Sequence, residues 1–317
     1  MNKIESIKKE ISKVVVGQSN MIDGLFFGLF CDGHILLEGV PGLAKTTTIK
    51  AFSKALGLES NRIQFTPDLL PSDIIGAEIY NPKENEFSIK KGAIFTNFLL
   101  ADEINRAPAK VQSALLEAMQ EKQVTIGNSS FKLPYPFIVM ATQNPVESEG
   151  AYQLPEAQLD RFMLKVNIEY NTIEEEIFMA DRVSNQKYNS DDEIKSIINE
   201  DEINQIKDSI QKIHIDDEIK NYIMKLIDAS RFPHKYDLDE ISSYISYGAS
   251  PRATIDLLKV SKARAYFDAQ DYVSPIQIAK VIKDVLRHRI ILSYEAVSNQ
   301  INSDGLIDKI LQKIPIP

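Results

Sequence analysis

The segment His34–Thr48, HILLEGVPGLAKTTT, constrains the fold of this chain more than any other stretch. The apolar run Ile35–Leu37 predicts a short strand, a glycine- and proline-rich loop follows it, and Lys45-Thr46 begins a helix. Glycines let backbone N–H groups turn inward around an anion, and the N-terminus of the helix adds its partial positive charge. This order of strand, loop and helix predicts a phosphate-binding loop, with an ordinary strand–turn–helix joint as the alternative.

Two side chains of this loop carry the groups that phosphate binding needs. Lys45 can reach the β- and γ-phosphates of a nucleotide, and the Thr46 hydroxyl can ligate Mg²⁺. Gly39 and Gly42 stand at the glycine positions, but Ala44 precedes the lysine, where the usual pattern has glycine. A strict pattern search would therefore miss this loop.

Charge and cysteine content limit the class of protein. The 317 residues are enough for two domains with a large core. A net charge of −9 repels nucleic acids and acidic membranes, and the single cysteine, Cys31, fits a reducing compartment. No apolar run approaches the roughly 20 residues that span a bilayer, and the N-terminus lacks the apolar core of a signal peptide. We therefore expect a cytoplasmic protein.

Strands alternate with helices in the first part of the chain. Apolar runs predict strands at Ile35–Leu37, Arg62–Thr66, Phe98–Ala101, Phe137–Ala141 and Phe162–Ile168, with helices at about 46–56 and 107–121. Such alternation implies right-handed crossovers between parallel strands. We expect an α/β fold, a three-layer αβα sandwich around a parallel sheet.

Helical periodicity dominates beyond Tyr170, where the pattern indicates no strand. The predicted helices there cover 203–213, 219–230, 253–269 and 275–292. We therefore expect an α/β domain over residues 1–188 and a smaller all-α domain over 189–317. Two predicted hairpins interrupt the first domain, one near 77–90 and one near 124–133 around the turn Gly127-Asn128.

Asp102 and Glu103 end the apolar strand Phe98–Ala101. Open α/β sheets bind their ligands at the carboxyl ends of the strands, so both carboxylates should lie beside the glycine-rich loop. Asp102 would hold Mg²⁺, which prefers oxygen ligands, and Glu103 could orient the attacking water or accept its proton. The alternative is that the two acids stabilise the first turn of the following helix.

Asn144 ends the next buried strand, within the segment MATQNP. An amide at this place can hydrogen-bond both a water and a phosphate oxygen, so it can position the nucleophile. The alternative is a turn-forming asparagine before Pro145.

Two arginines, Arg161 and Arg252, are candidates for sensing phosphate. Arg161 in QLDRF could insert into the nucleotide site of a neighbouring subunit, or form a surface pair with Asp160. Ser250-Pro251-Arg252 places a capping serine and a first-turn proline at a helix start. A cation there opposes the helix dipole, so Arg252 costs stability unless an anion lies opposite, and a γ-phosphate would supply that anion.

With these segments in place, the chain resembles AAA+ ATPases and is identified as a member of the MoxR family. The matching segments are GVPGLAKT (39–46), LLADEINRA (99–107), ATQNP (141–145), QLPEAQLDRF (153–162) and SPRA (250–253). The resemblance spans nearly the full length. It implies an AAA+ α/β domain followed by a helical lid.

The resemblance also implies a role for each candidate residue, with ATP and Mg²⁺ as cofactors. The implied nucleotide-binding residues are Gly39, Pro41, Gly42, Leu43, Ala44, Lys45, Thr46 and Thr47, with Gly17 and Gln18 as an adenine-side loop. The implied Mg²⁺ ligands are Thr46 and Asp102. The implied catalytic residues are Glu103, Asn144 (sensor 1), Arg161 (arginine finger) and Arg252 (sensor 2).

Ala44 is compatible with this family, in which GLAKT is a familiar variant. We expect the loop to accept Ala44 if that residue takes right-handed helical dihedrals, because only a positive φ demands glycine.

At the level of function, the resemblance implies a hexameric, ring-forming ATPase that acts as a chaperone on partner proteins, including partners with von Willebrand A-type domains. The two hairpins resemble the helix-2 and pre-sensor-1 insertions of this clade and would face substrate or partner, with decoration of the sheet edge as the alternative.

Three other functions fit parts of the pattern. A magnesium-chelatase-like motor subunit shares the architecture. A nucleic-acid motor of the same clade is disfavoured because acidic residues offset the hairpin lysines and no aromatic–basic interleaving suggests base stacking. A scaffold that binds ATP without turnover is disfavoured by the presence of both Glu103 and Arg161.

Overall fold

The computed structural model describes residues 3–40, 42–83, 85–144, 152–184 and 194–317, which form two compact units. The first unit comprises Met1–Leu154 and Val166–Glu202, and the second comprises Pro155–Lys165 and Ile203–Pro317. The domain boundary predicted after residue 188 falls among residues 185–193, outside the described part of the chain, so it stays a prediction.

A five-stranded sheet forms the centre of the first unit. Its strands, in chain order, are β1 (Ile35–Glu38), β2 (Ser60–Gln64), β5 (Phe98–Asp102), β8 (Ile138–Gln143) and β9 (Leu164–Asn167, whose first two residues are assigned to the second unit). The spatial order is β2-β5-β8-β1-β9, and β2, β5, β8 and β1 pair in parallel. Side chains of β1, β5 and β8 are almost fully buried, as expected for parallel strands covered on both faces. The α/β fold with a parallel sheet is confirmed.

The register of the sheet brings four polar strand ends together. Gln64 pairs with Asp102 across β2 and β5, and Glu38 pairs with Gln143 across β1 and β8. The carboxyl ends of these strands therefore form one edge, where open α/β sheets bind ligands.

Six helices of the described residues lie wholly within the first unit. They are α1 (Lys3–Ile11), α2 (Ser19–Cys31), α3 (Lys45–Ala55), α4 (Pro71–Ile75), α5 (Ala109–Glu121) and α7 (Ile173–Ser184), with a 3₁₀ turn at Ile104–Arg106. Helix α5 buries one face, which includes Val111 and Leu115, as its 3.6-residue periodicity predicts.

Three buried phenylalanines join helices α2 and α3 to strand β5. The Phe26 and Phe52 ring centroids lie 4.9 Å apart at an interplanar angle of 71°, and Phe52 and Phe98 lie 5.4 Å apart at 90°. Edge-to-face contacts of this kind contribute beyond the area they bury. They hold the helix that follows the glycine-rich loop against the strand that ends in Asp102.

Both predicted hairpins are present. The first pairs β3 (Gly76–Asn81) with β4 (Glu86–Lys91), and the second pairs β6 (Gln123–Ile126) with β7 (Ser129–Lys132). Gly127 has a φ of +57° in the two-residue turn of the second hairpin. Turns that match the twist of a hairpin require a positive φ, which is why the dipeptide Gly127-Asn128 indicated this one.

The second unit is mostly helical. Its helices are α6 (Glu156–Leu159), α8 (Glu200–Lys212, which begins in the first unit), α9 (Asp217–Arg231), α10 (Asp239–Ser242), α11 (Pro251–Phe267), α12 (Pro275–Leu286), α13 (Tyr294–Ser298) and α14 (Ser303–Lys313), with a 3₁₀ turn at Pro233–Tyr236.

One small ribbon departs from the helical prediction for this unit. Strands β10 (Ile245–Tyr247) and β11 (Ile291–Leu292) pair antiparallel, so the expectation of no strand beyond Tyr170 was wrong, as was a helix reaching Leu292. Strands of two or three residues are too short to show alternation in the sequence. Among the described residues, no helix has both the length and the apolar character needed to cross a bilayer.

Candidate functional site

A cleft of about 370 Å³ opens at the carboxyl ends of β1, β5 and β8. Its lining includes most of the predicted site residues, namely Gly39, Gly42, Leu43, Ala44, Lys45, Thr46, Thr47, Asp102, Glu103 and Asn144. The remaining lining residues are Arg62, Gln64 and Thr142. The structure thus gathers the glycine-rich loop, both carboxylates and the asparagine in one place. Pro41 and Pro145 lie outside the described residues.

The loop turns through two residues with left-handed backbone dihedrals. Gly42 has a φ of +89°, and Ala44 has a φ of +53° with a ψ of 23° immediately before helix α3. The expectation of right-handed dihedrals at Ala44 was therefore wrong. The left-handed region costs a residue with a Cβ on the order of 1 kcal/mol relative to glycine. The carbonyl of Ala44 accepts a 2.9 Å hydrogen bond from the Thr48 hydroxyl.

Lys45 folds back over its own loop. Its Nζ donates a 2.8 Å hydrogen bond to the carbonyl oxygen of Gly39. Burial lowers the pKa of Lys45, and the nearby carboxylates of Asp102 and Glu103 oppose that shift. The ammonium group is thus partly desolvated, and an anion that entered the cleft would favour its charged form.

Asp102 has a hydrogen-bond partner on each carboxylate oxygen. The Thr142 hydroxyl donates to Oδ1 at 2.6 Å, and Arg62 donates to Oδ2 from Nη2 at 2.6 Å and from Nε at 3.1 Å. Arg62 lies on β2 and Thr142 on β8, the two neighbours of β5. The carboxylate is therefore fixed from both sides.

Glu103 is held by its backbone and by its side chain. It has a φ of +54°, and its N–H donates to the Thr142 hydroxyl at 2.8 Å. Its Oε2 accepts hydrogen bonds from Gln64 Nε2 at 2.8 Å and from Arg106 Nη1 at 2.9 Å. Left-handed backbone at a residue other than glycine is uncommon and concentrates at functional sites.

The donors in this cleft fit Mg²⁺. Thr46 offers a hydroxyl and Asp102 a carboxylate, while the described residues contain no cluster of three or more His, Cys, Asp or Glu that could hold a metal alone. Mg²⁺ characteristically takes one or two protein oxygens and completes its shell with phosphate oxygens and water. The residues present suit a metal that arrives with a phosphate ligand.

Asn144 follows β8 directly and is 9% exposed. Its place on the cleft wall beside Thr142 agrees with the expectation that strand ends meet at this edge.

Gln18 lines a different pocket of the first unit, of about 200 Å³, and Gly17 immediately precedes it in the chain. The Gln18 side chain donates to Asn171 Oδ1 at 2.9 Å and to the carbonyl of Glu169 at 3.2 Å. Gly17 has a φ of +71°, and a Cβ added there would lie 2.6 Å from Asn171 Oδ1. Glycine is therefore required at this turn, and an adenine-side role for the pair stays a prediction.

Arg161 and Arg252 belong to the second unit. Ser250 caps helix α11 as predicted, since its hydroxyl accepts a 3.2 Å hydrogen bond from the N–H of Arg252. The Arg252 guanidinium lies 3.2 Å from a carboxylate oxygen of Asp160. A protein carboxylate thus supplies the anion that we expected a γ-phosphate to supply.

Comparison with known proteins shows the family to which the chain belongs. A sequence model of the ATPase family associated with various cellular activities (AAA) matches residues 34–164, and one of the AAA lid domain matches residues 239–310. Chaperone MoxR1 of Mycobacterium tuberculosis is 42% identical over 97% of this chain and 81% of its own length. The chain belongs to the MoxR family of AAA+ ATPases.

Two further relatives support the assignment of this chain to the MoxR family. YeaC of Bacillus subtilis is 40% identical over 98% of this chain and 93% of its own length. A crystal structure from Cytophaga hutchinsonii, named as a candidate ATPase, superposes with a TM-score of 0.93 at 52% identity and covers 100% of this chain and 95% of that one. The AAA+ fold with its lid domain therefore holds for the whole chain.

Sequence reasoning missed four polar residues of this MoxR-family site. They are Arg62, Gln64, Arg106 and Thr142. A signal was available for the two on β2, because arginine and glutamine alternate on a strand that pairs with β5, and alternate residues share one face. This alternation points to the site only once β2 is known to be the neighbour of β5.

Proposed function

We propose that this MoxR-family chain hydrolyses ATP with Mg²⁺ and, as a hexameric ring, uses the reaction to remodel partner proteins. The observation that carries the proposal is the single cleft that joins Lys45 and Thr46 to Asp102, Glu103 and Asn144.

The loop is suited to bind the phosphates. Its N–H groups, the start of helix α3 and the Lys45 ammonium together present positive charge to the β- and γ-phosphates. Thr46 and Asp102 would hold Mg²⁺, which neutralises phosphate charge when it is bound. Lys45 then exchanges its hydrogen bond with the Gly39 carbonyl for one with a phosphate oxygen.

Glu103 is suited to act on the attacking water. The water oxygen forms a bond to the γ-phosphorus, the bond to the leaving ADP oxygen breaks, and Glu103 accepts the water proton. Gln64 and Arg106 both donate to Oε2, so they compete with the water for that oxygen. Asn144, on the same wall, can hold the water in line through its amide.

The arginines complete this scheme. Arg161 acts on the nucleotide of a neighbouring subunit, and Arg252 binds phosphate as sensor 2. Each would stabilise charge on the transferring phosphoryl group.

The hairpin β3–β4 is suited to contact a protein client. The Tyr80 and Phe87 rings pair across it at 5.2 Å, with 47% and 69% of their surfaces exposed. Aromatic groups of this kind are enriched at protein interfaces. The name of Chaperone MoxR1 also supports a protein client, and we include partners with von Willebrand A-type domains. We place this activity in the cytoplasm, whose reducing environment suits a chain with one cysteine.

Variants of Lys45 and Glu103 test the proposal. We expect Lys45→Ala to lose nucleotide binding, and Glu103→Gln to bind ATP but hydrolyse it at least about 100-fold more slowly. The matched control is Lys50→Ala, an exposed lysine of α3 outside the cleft lining. Unchanged ATP affinity in Lys45→Ala would show that the loop does not bind the nucleotide. A wild-type rate of ATP hydrolysis in Glu103→Gln would show that Glu103 takes no part in the reaction. Proteins that co-purify with Glu103→Gln in ATP would identify the client.

A further inference from the structure

Asp160 connects three side chains in the second unit. Its Oδ1 accepts a 2.7 Å hydrogen bond from the Ser250 hydroxyl and lies 3.1 Å from Nε of Arg289. Its Oδ2 lies 3.2 Å from Nη1 of Arg252. The side chain of Asp160 is 18% exposed, so solvent screens these contacts only in part.

The two arginines around Asp160 are held very differently. Arg289 is 1% exposed, pairs with Asp256 at 2.6 Å, and donates to the carbonyl of Phe162 at 2.8 Å. Arg252 is 51% exposed, and 3.2 Å is long for a charge-assisted hydrogen bond. Removing Arg289 from its partners would leave a buried charge uncompensated, whereas Arg252 can leave at little cost.

We propose that Asp160 is an exchangeable counter-ion of Arg252, which competes with nucleotide phosphate for this guanidinium. This inference rests on the proposed role of Arg252 as a phosphate-binding residue. It adds that the nucleotide must displace the Asp160 carboxylate to bind the Arg252 guanidinium. Asp160 is in this view a positioning residue, because it acts through Arg252 and does not itself touch the substrate.

A phosphate group is the stronger partner in this competition. It carries more charge than one carboxylate, and it can accept two parallel N–H bonds, whereas Asp160 contacts Arg252 through one oxygen because Ser250 and Arg289 occupy the other. Arg289 stays with Asp160 and Asp256 when Arg252 leaves, so the Asp160 carboxylate keeps a cation. The segment that carries Arg161 also stays fixed, because Arg289 and His288 both donate to the Phe162 carbonyl.

Nucleotide affinity in a hydrolysis-deficient background tests the competition. In Glu103→Gln protein, we expect Asp160→Asn to lower the Kd of a fluorescent ATP analogue with Mg²⁺ by about two- to fivefold, the scale of one exposed ion pair. With Arg252→Gln also present, Asp160→Asn should have no effect on the Kd. An unchanged Kd in the first comparison, or the same decrease in the second, would overturn the proposal.

Two matched variants separate competition from structural damage. Asp256→Asn removes the other carboxylate of Arg289 and leaves the Asp160–Arg252 pair, so we expect no tightening. Asp308→Asn breaks another ion pair of the second unit, with Lys283 at 2.8 Å, and should also leave the Kd unchanged. A decrease in Asp256→Asn equal to that in Asp160→Asn would assign the effect to Arg289 and contradict the proposal.

A second measurement does not depend on whether Asp160→Asn folds. Carbodiimide labelling of Asp160, read by mass spectrometry in Glu103→Gln protein, should rise when ATP and Mg²⁺ are added, because Arg252 then leaves the carboxylate. It should not rise when Arg252→Gln is also present. Equal labelling with and without nucleotide would overturn the proposal. Glu103→Gln protein that binds no nucleotide at all would instead refute the proposed ATPase function.

Discussion

Nη2 of Arg62 lies 2.6 Å from Oδ2 of Asp102, so the carboxylate that we assign to Mg²⁺ already carries a cation of the protein. Because β2 and β5 are adjacent and parallel, residues near the end of β2 can reach the end of β5. The Arg62 side chain is 46% exposed, and such a pair contributes no more than about 1 kcal/mol. Arg62 can therefore move away when a metal enters.

We expect Arg62→Gln to bind metal more readily, since the competing cation is gone. The Mg²⁺ concentration for half-maximal ATPase activity should fall by about two- to fivefold, as expected for the loss of one exposed pair. Mn²⁺ binding in the presence of a non-hydrolysable ATP analogue, followed by electron paramagnetic resonance, gives a readout independent of turnover. Arg264→Gln, which breaks an ion pair with Asp268 in the second unit, is the control. A rise in the Mg²⁺ requirement would show that Arg62 supports the metal site.

We expect Ala44→Gly to stabilise the protein, because glycine adopts the left-handed dihedrals of this position without strain. The gain in the free energy of unfolding should be about 1 kcal/mol, measured by urea denaturation. Ala180→Gly, at an exposed position inside helix α7, should instead lose about 1 kcal/mol. The opposite signs separate backbone strain from a general effect of glycine, and a loss of stability in Ala44→Gly would contradict the observed dihedrals.

His34 makes stability sensitive to acid. Burial lowers its pKa to about 4, Nε2 lies 3.1 Å from the Met119 carbonyl, and Nδ1 accepts a hydrogen bond from the Val139 N–H at 3.0 Å. The neutral ring satisfies both partners, whereas the unfolded chain binds a proton near the usual His pKa of about 6.5. The contribution of the neutral His34 ring to the free energy of unfolding is therefore complete above pH 6.5. It decreases as the pH falls towards 4, by roughly 3 kcal/mol in total.

Urea unfolding between pH 7 and 5 checks this dependence on His34. The slope of unfolding free energy against pH should decrease in His34→Gln, whose amide can make both hydrogen bonds without titrating. His214→Gln, an exposed histidine, is the control. Buried His288 has a pKa well below its usual value for the same reason and contributes with the same sign, so part of the slope will remain. An identical slope in His34→Gln would contradict the buried neutral ring.

Mixing two inactive variants tests whether Arg161 acts between subunits. We expect Arg161→Ala to bind ATP with normal affinity. It should hydrolyse ATP at least about 10³-fold more slowly than the wild type, as for other arginine fingers. Mixed with Glu103→Gln protein, it should recover part of the activity, because some interfaces then contain both intact residues. No recovery in mixed rings, or full activity in a monomer, would exclude action between subunits.

The exposed aromatic pair of the first hairpin predicts a loss of client binding on substitution. The amount of client that co-purifies with Glu103→Gln protein should fall at least about fivefold when Phe87 is changed to Ser, since interface aromatics contribute a large share of binding energy. Tyr294→Ser, at a lid residue that is 92% exposed, should leave the amount unchanged. Equal capture by both variants would remove the hairpin from the client surface.

Local patterns predicted the parts of the site that are contiguous in sequence. The glycine-rich loop and the Asp102-Glu103 pair each follow a short apolar run that predicts a buried strand, so their position at the sheet edge follows from the α/β alternation. The two hairpins were equally local, because turn residues lie between short alternating segments.

The missed features depend on contacts between distant parts of the chain. The Asp160–Arg252 pair joins residues 92 positions apart, and the Arg62–Asp102 pair joins residues 40 positions apart, so neither leaves a periodic trace. The left-handed dihedrals of Ala44 follow from how the loop must enter helix α3, and an alanine in the sequence gives no sign of them.

The contacts among Phe26, Phe52 and Phe98 have a mechanical consequence. They hold helix α3 against strand β5, and a close-packed interior of this kind deforms little. If the cleft binds ATP as we propose, we do not expect exchange of ATP for ADP to shift these two elements apart. We expect any difference between the two nucleotides to act through groups that can move over this rigid floor, such as the Arg62 side chain in the cleft lining, which is 46% exposed.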